Sequence, residues 1–271
     1  MARKKLGFIG TGVMGGAMLD AVIKTGFLPP EEILVYDKNN DLAKRVAAES
    51  GAALAESAQA LVQGAHAVQL GAKPQDFPAL LEGIGPALAE SDPLIISIAA
   101  GLELASIEAL LPYKPRLVRM MQNINAVVGE SMTAFCPNDR NSAVEIAFIE
   151  GYCASFGRVV QLEERYFSAF LALAGSAPAF VYLFIDELAR AGVACGLNKA
   201  LALEIASQTV LGSAKLVQDS DQHPYTLIDR VCSPAGTTIA GIQALQQNGF
   251  VGAVGKAVRA VYDRDRELAG N

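Results

Sequence analysis

The sequence is short of the residue types that build metal and redox centres. It has only two histidines, His66 and His223, and four cysteines, Cys136, Cys153, Cys195 and Cys232, with no C-x-x-C pair. Two distant histidines and scattered thiols offer too few ligands for a zinc site, so no metal is expected. The cysteines read as free thiols in a reducing cytoplasm. Basic residues are also few. Lys+Arg total 22 against 28 Asp+Glu, a net charge of -6, which makes the chain a poor non-specific partner for nucleic acid or an anionic membrane. There is no internal repeat, low-complexity tract or Pro/Ser-rich linker. The apolar run that begins at Leu6 is too short for a signal peptide and is broken by Gly7 and Gly10.

One uncharged stretch, Tyr166–Ile185, is long enough to raise the question of a membrane span. Gly175, Ser176 and Pro178 interrupt it, and Glu163, Glu164, Asp186 and Glu187 flank it. A helix apolar on all sides also suits a buried core, and that is the expectation here, with no membrane partner. At 52% hydrophobic and 18% charged, the 271 residues can bury such a core.

The first half alternates short apolar runs with helical patterns. Strands are expected at Leu6–Ile9, Ile33–Tyr36, Ala67–Leu70, Leu94–Ile98, Leu117–Met121 and Met132–Phe135. Helices are expected at Met14–Lys24, Asp41–Glu49, Ser57–Gln63, Phe77–Leu88 and Leu104–Leu110. Such alternation predicts right-handed βαβ units and a doubly wound α/β domain of the Rossmann type, with a parallel sheet covered on both faces. After about Val160 the pattern turns helical: 164–194, 199–219, 224–231, 237–247 and 250–268. The expected division is therefore 1–160, a dinucleotide-binding domain, and 161–271, an all-α domain.

Gly10-Thr11-Gly12-Val13-Met14-Gly15 fits G-x-G-x-x-G between a strand and a helix, the context the motif requires. Gly10 suits the tight turn, Gly12 a close approach of backbone to pyrophosphate, and Gly15 close packing of helix on strand. The helix start then offers N–H groups and positive dipole to phosphate. Asp37, at the end of the second strand, can accept hydrogen bonds from ribose hydroxyls, which favours NADH over NADPH. Lys38 and Arg45 nearby soften that preference. Three further segments fall at strand ends, where this fold binds ligands: Gly71-Ala72-Lys73-Pro74, Ala99-Ala100-Gly101 and Gln122-Asn123-Ile124-Asn125. In the helical half, Val231-Cys232-Ser233-Pro234-Ala235-Gly236-Thr237-Thr238-Ile239 joins two helices. It reads either as a capped helix junction or as a carboxylate site built from backbone N–H groups and hydroxyls.

On these residues the chain resembles the pyrroline-5-carboxylate reductases along nearly its whole length. The matching pieces are Gly7–Gly12, Ala72-Lys73-Pro74-Gln75, Ser97–Gly101, Gly175-Ser176 with Pro178-Ala179, and Val231–Pro234 with Gly236–Ile239. The resemblance implies a Rossmann domain followed by an all-α dimerisation domain, a homodimer or an oligomer of dimers, and an active site drawing on both subunits. It implies NADPH or NADH as cofactor and a small cyclic imine as substrate.

Carried over by position, Ile9, Gly10, Thr11, Gly12, Val13, Met14 and Gly15 would hold the pyrophosphate, and Asp37 and Asn39 would lie by the ribose. Ala72, Lys73, Pro74, Ala99, Ala100, Gly101 and Asn123 would line the nicotinamide side. Glu164, Arg230, Ser233, Gly236, Thr237 and Thr238 would border the substrate, with the Thr238 hydroxyl facing the ring nitrogen as the catalytic group. The chain departs from the family pattern at Gln122–Asn125, where Met-Pro-Asn-Thr-Pro is usual from position 121. It also departs at Ala174, Ala177, Val13 and Ala235, the last standing where a glycine is common. A reductase for another cyclic imine, a β-hydroxyacid dehydrogenase and a non-catalytic nucleotide-binding protein are the alternatives.

Overall fold

A computed structural model describes residues 4–268. The strands are β1 (Lys4–Ile9), β2 (Ile33–Tyr36), β3 (Ala53–Leu54), β4 (Ala65–Leu70), β5 (Leu94–Ser97), β6 (Leu117–Met121), β7 (Ser131–Pro137) and β8 (Gly157–Gln161). They form one sheet in the order β3-β2-β1-β4-β5-β6-β7-β8. β1 to β6 pair in parallel, β7 runs antiparallel to β6, and β8 pairs parallel with β7. All six expected strands are present. β3 and β8 lie outside those expected, and the reversal at β7 is a departure from a wholly parallel sheet.

The first unit also holds α1 (Val13–Lys24), α2 (Asn40–Ser50), α3 (Ala58–Gly64), α4 (Phe77–Ser91), α5 (Leu104–Glu108), α6 (Ala143–Ala154) and α7 (Phe167–Phe170). The central strands show why both faces are covered: β5 and β6 are buried at every position, without the polar alternation of a half-exposed sheet. Alternate residues of β1 feed opposite cores. Leu6 and Phe8 pack with Met18, Tyr152 and Phe156, whereas Ile9 packs with Leu61, Leu70 and Phe77.

The continuous helix expected over 164–194 is broken. A 3-10 turn (Glu164–Tyr166) leads into α7, then a π turn (Leu171–Gly175), then α8 (Ala177–Ala194). The Asn123 side chain donates to the Ala174 carbonyl (3.0 Å), within that π turn.

The chain separates into two compact units. One comprises the chain up to Gly175 together with the segment from Tyr262, and the other is Ser176–Val261. The second contains α8, α9 (Lys199–Asp219), α10 (Pro224–Val231), α11 (Thr237–Gln247) and most of α12 (Phe250–Leu268). Its interior is thin. The buried residues are Pro178, Ala189, Ala202 and Ala206, small side chains that let α8 and α9 approach closely. Leu183, Leu211, Leu216 and Val251 are exposed. Two stretches, Glu164–Ala194 and Lys199–Asp219, are long and apolar enough to cross a membrane by length and composition.

Candidate active site

The glycine loop leaves the end of β1 and starts α1. Gly10 has φ +96°, and a Cβ there would come within 2.9 Å of the Gly71 carbonyl oxygen. The backbone at this point is stitched to both neighbouring strands, Gly10 N–H to Tyr36 O (2.8 Å) and Gly71 N–H to Ile9 O (2.7 Å). A side chain at Gly15 would collide with the Gly10 carbonyl. Gly12 differs, because a Cβ there would meet nothing within 4 Å. It is the N-cap of α1, no side chain caps it, and the first-turn N–H groups have no partner within the helix. The space above Gly12 therefore faces a set of backbone donors at a helix start, a fit for a pyrophosphate.

Asp37 is the staple of this loop. Its Oδ2 accepts from the Thr11 N–H (2.7 Å) and the Thr11 hydroxyl (3.3 Å), and its Oδ1 accepts from the Asn39 N–H (2.9 Å). The Asn39 side chain is occupied in capping α2 through the Leu42 N–H (3.2 Å). Lys38 pairs with Asp76 at 3.0 Å. Pro74 opens a 3-10 turn with Lys73 exposed before it, and Gly101 (φ +77°) turns the chain after buried Ala99.

Asn123 is buried, and both ends of its side chain are engaged: Nδ2 with Ala174 O and Oδ1 with the Asn125 N–H (3.2 Å). Its contacts are thus with the protein's own backbone. Gln122, one of the departures from the family pattern, has a buried Oε1 without a partner among the described residues.

Glu164 lies in the same unit as the cofactor candidates. Its Oε1 accepts from the Leu104 N–H (2.8 Å) and from Arg119 Nη1 (2.8 Å). Sequence reasoning did not single out Arg119, which sits inside the apolar run of β6. Burial pushes the nearby Cys136 thiol up, reinforced by the Glu164 charge.

Arg230, Ser233, Gly236, Thr237 and Thr238 fall in the second unit. Ser233 to Gly236 form a tight turn, closed by the Gly236 N–H on Ser233 O (3.0 Å). Ala235 sits in the left-handed region at φ +55°. A Cβ on Gly236 would strike Ser233. Gly236 caps α11 without a side-chain partner, leaving the first-turn N–H groups beside the Thr237 and Thr238 hydroxyls. Arg230 Nη1 donates to Gln222 Oε1 (2.9 Å).

Residues 164–268 match the family model described as pyrroline-5-carboxylate reductase dimerisation, and residues 5–101 match NADP oxidoreductase, coenzyme F420-dependent. The pyrroline-5-carboxylate reductase of Aquifex aeolicus is 38% identical over 264 residues, covering 97% of both chains. This chain belongs to the pyrroline-5-carboxylate reductase family. The Escherichia coli enzyme of that name is 35% identical, covering 98% of each chain. Among solved structures, the Coxiella burnetii reductase superposes with a TM-score of 0.92 at 28% identity, covering 98% of each chain. The Plasmodium falciparum reductase, solved with NADP bound, has a TM-score of 0.86 at 29% identity, covering 99% of each. The fold class read from the sequence is thereby borne out: a Rossmann-type sheet followed by a helical dimerisation region.

Proposed function

We propose that this protein reduces 1-pyrroline-5-carboxylate to proline, using NADPH or NADH. The observation that carries the reading is its end-to-end match to reductases of that name, with both diagnostic turns keeping a ligand-ready geometry. The open Gly12 cradle at the start of α1 supports dinucleotide binding by Ile9 to Gly15, with Ala72, Lys73, Pro74, Ala99, Ala100 and Gly101 towards the nicotinamide. Asn123 is placed on the same side, as a support that ties its own turn at Asn125 to the Ala174 backbone. NADPH is favoured by the NADP-bound Plasmodium relative, and Asp37 weighs towards NADH.

The reduced nicotinamide supplies the hydride that converts the ring C=N to CH–NH. The chain's own residues do the rest. The N–H groups of Thr237 and Thr238 hold the substrate carboxylate at the start of α11, where the helix dipole favours negative charge. The Thr238 hydroxyl hydrogen-bonds the ring nitrogen and relays to it a proton drawn from solvent, and that protonation makes the carbon a better acceptor. Glu164, Arg230 and Ser233 border the ring.

The division into a cofactor-holding 1–160 and a substrate-binding, dimerising 161–271 is part of this proposal. So are a homodimer or oligomer of dimers, a cytoplasmic location, and no nucleic-acid, membrane or metal partner. On this reading the exposed apolar residues of α8, Val181 to Phe184, serve the dimer core, whereas Phe167, Phe170 and Ala174 of the same Tyr166–Ile185 stretch are already buried against Met121 and Ala134.

The test is loss of NADH and NADPH absorbance on adding pyrroline-5-carboxylate to the purified protein. Imine-dependent oxidation is expected. Cofactor binding without it would point to another cyclic imine. Thr238→Ala is expected to lower kcat about 100-fold while NADPH affinity is kept, and full turnover in that variant would remove the role given to Thr238.

A further inference from the structure

Arg119 is an arginine in the middle of a buried strand. It is 5% exposed, and its guanidinium lies 4.5 Å from the centre of the Phe167 ring. Nη1 donates to Glu164 Oε1, while Nε is buried with no partner among the described residues. Burying such a pair is a poor route to stability, because desolvation offsets most of the attraction and an apolar pair of similar volume would serve as well. Its location suggests another use. The same Glu164 oxygen receives the Leu104 N–H at the start of α5, where the N-cap residue Glu103 provides no side-chain cap. Glu164 therefore pins the far end of the turn that begins at Gly101. Gly101, Glu103, Arg119, Glu164, Phe167 and Ser168 together line a cavity of about 370 Å³.

We propose that Arg119 is a positioning residue. It fixes the Glu164 carboxylate, and through it the Gly101–Leu104 turn, at the edge of a cavity lined by Gly101 and Glu164, residues given to the nicotinamide side and the substrate border in the proposed function. The inference rests on the proposed function for its kinetic consequence, although the mechanical link does not. The geometry is a chain of two charge-assisted hydrogen bonds ending on a backbone amide, with the cation clamped against an aromatic face. A shift of the turn of the order of 1 Å would misplace reacting groups enough to cost about 100-fold in rate.

The experiment uses the full-length protein and Arg119→Ala. Pyrroline-5-carboxylate kinetics are measured with and without added millimolar methylguanidinium, and exchange of the Leu104 amide is followed by NMR. The expected result is a fall in kcat/KM for the imine of about 100-fold, with NADPH affinity nearly unchanged, partial recovery with methylguanidinium, and faster exchange at Leu104. Kinetics within threefold of the parent, or a slow variant whose Leu104 amide stays as protected as before, would overturn it. If Arg119→Ala does not fold, Arg119→Met removes the guanidinium while keeping side-chain volume and leaves Glu164 unchanged. That variant is expected to fold yet remain slow with an unprotected Leu104, and full activity in it would overturn the proposal. If the parent itself consumes no cofactor with this imine, the functional reading fails, and exchange at Leu104 still decides the role of Arg119.

Discussion

Ala235 is held at φ +55° in the turn before α11, a conformation that costs an L-residue with a Cβ about 1 kcal/mol or more. It is exposed, so its methyl gains nothing from packing. Ala235→Gly is therefore expected to stabilise the protein by about 1 kcal/mol, measured as a higher urea midpoint. An unchanged or lower midpoint would show that the strain is relieved in solution. The family habit of a glycine here was visible in the sequence, but the strain was not, since it depends on how the chain turns. The same limit applies at Arg119 and Asn123. Arg119 meets Glu164 45 positions away, and Asn123 reaches the backbone of Ala174, 51 positions away. Neither pairing leaves a local pattern. The glycine loop, in contrast, was readable because its spacing is local: Gly15 answers to the Gly10 carbonyl inside the motif, and Gly12 stands at the helix start, even though Gly10 packs against distant Gly71.

Among the elements, α6 is the instructive omission. Ser142 accepts from the Glu145 N–H (3.3 Å), and Glu145 accepts in return from the Ser142 N–H (2.7 Å), a capping box that announces a helix start. Following apolar runs alone passed over it. Strand β3 escaped because two residues carry no periodicity, and β8 because the strand signals fade by Val160.

The Glu145 carboxyl is pulled below its usual range. Burial opposes this, but the Ser142 N–H and hydroxyl and the Arg116 guanidinium outweigh it. A group with a lowered native pKa stabilises the fold above its unfolded value, here about 4.5, and that contribution disappears as pH falls through the lower native value. Glu145→Gln is expected to cost about 1 kcal/mol at pH 7 and to lose less stability than the parent on acidification below pH ~4.5. Identical acid profiles for the two proteins, from urea titrations across that window, would contradict it.

At the scale of the molecule, strand-helix alternation followed by unbroken helical pattern was enough to place the fold class, because the period of burial changes where the architecture does. The reversed β7 was beyond such reading, since strand direction is settled by connections. The second unit carries a different consequence. Four small buried residues, Pro178, Ala189, Ala202 and Ala206, cannot offset the entropy of ordering five helices, while Leu183, Leu211, Leu216 and Val251 face outwards. If the proposed homodimer forms, folding of Ser176–Val261 and its pairing with a second copy should then be one equilibrium governed by mass action. Each tenfold dilution would withdraw about 1.4 kcal/mol from the folded pair, and the thermal midpoint should drift downwards with it. A midpoint independent of protein concentration would mean that the helices stand alone. Otherwise abundance becomes a physical variable of this protein: a sparse population of chains would be limited by how often they meet before it is limited by how fast they turn over.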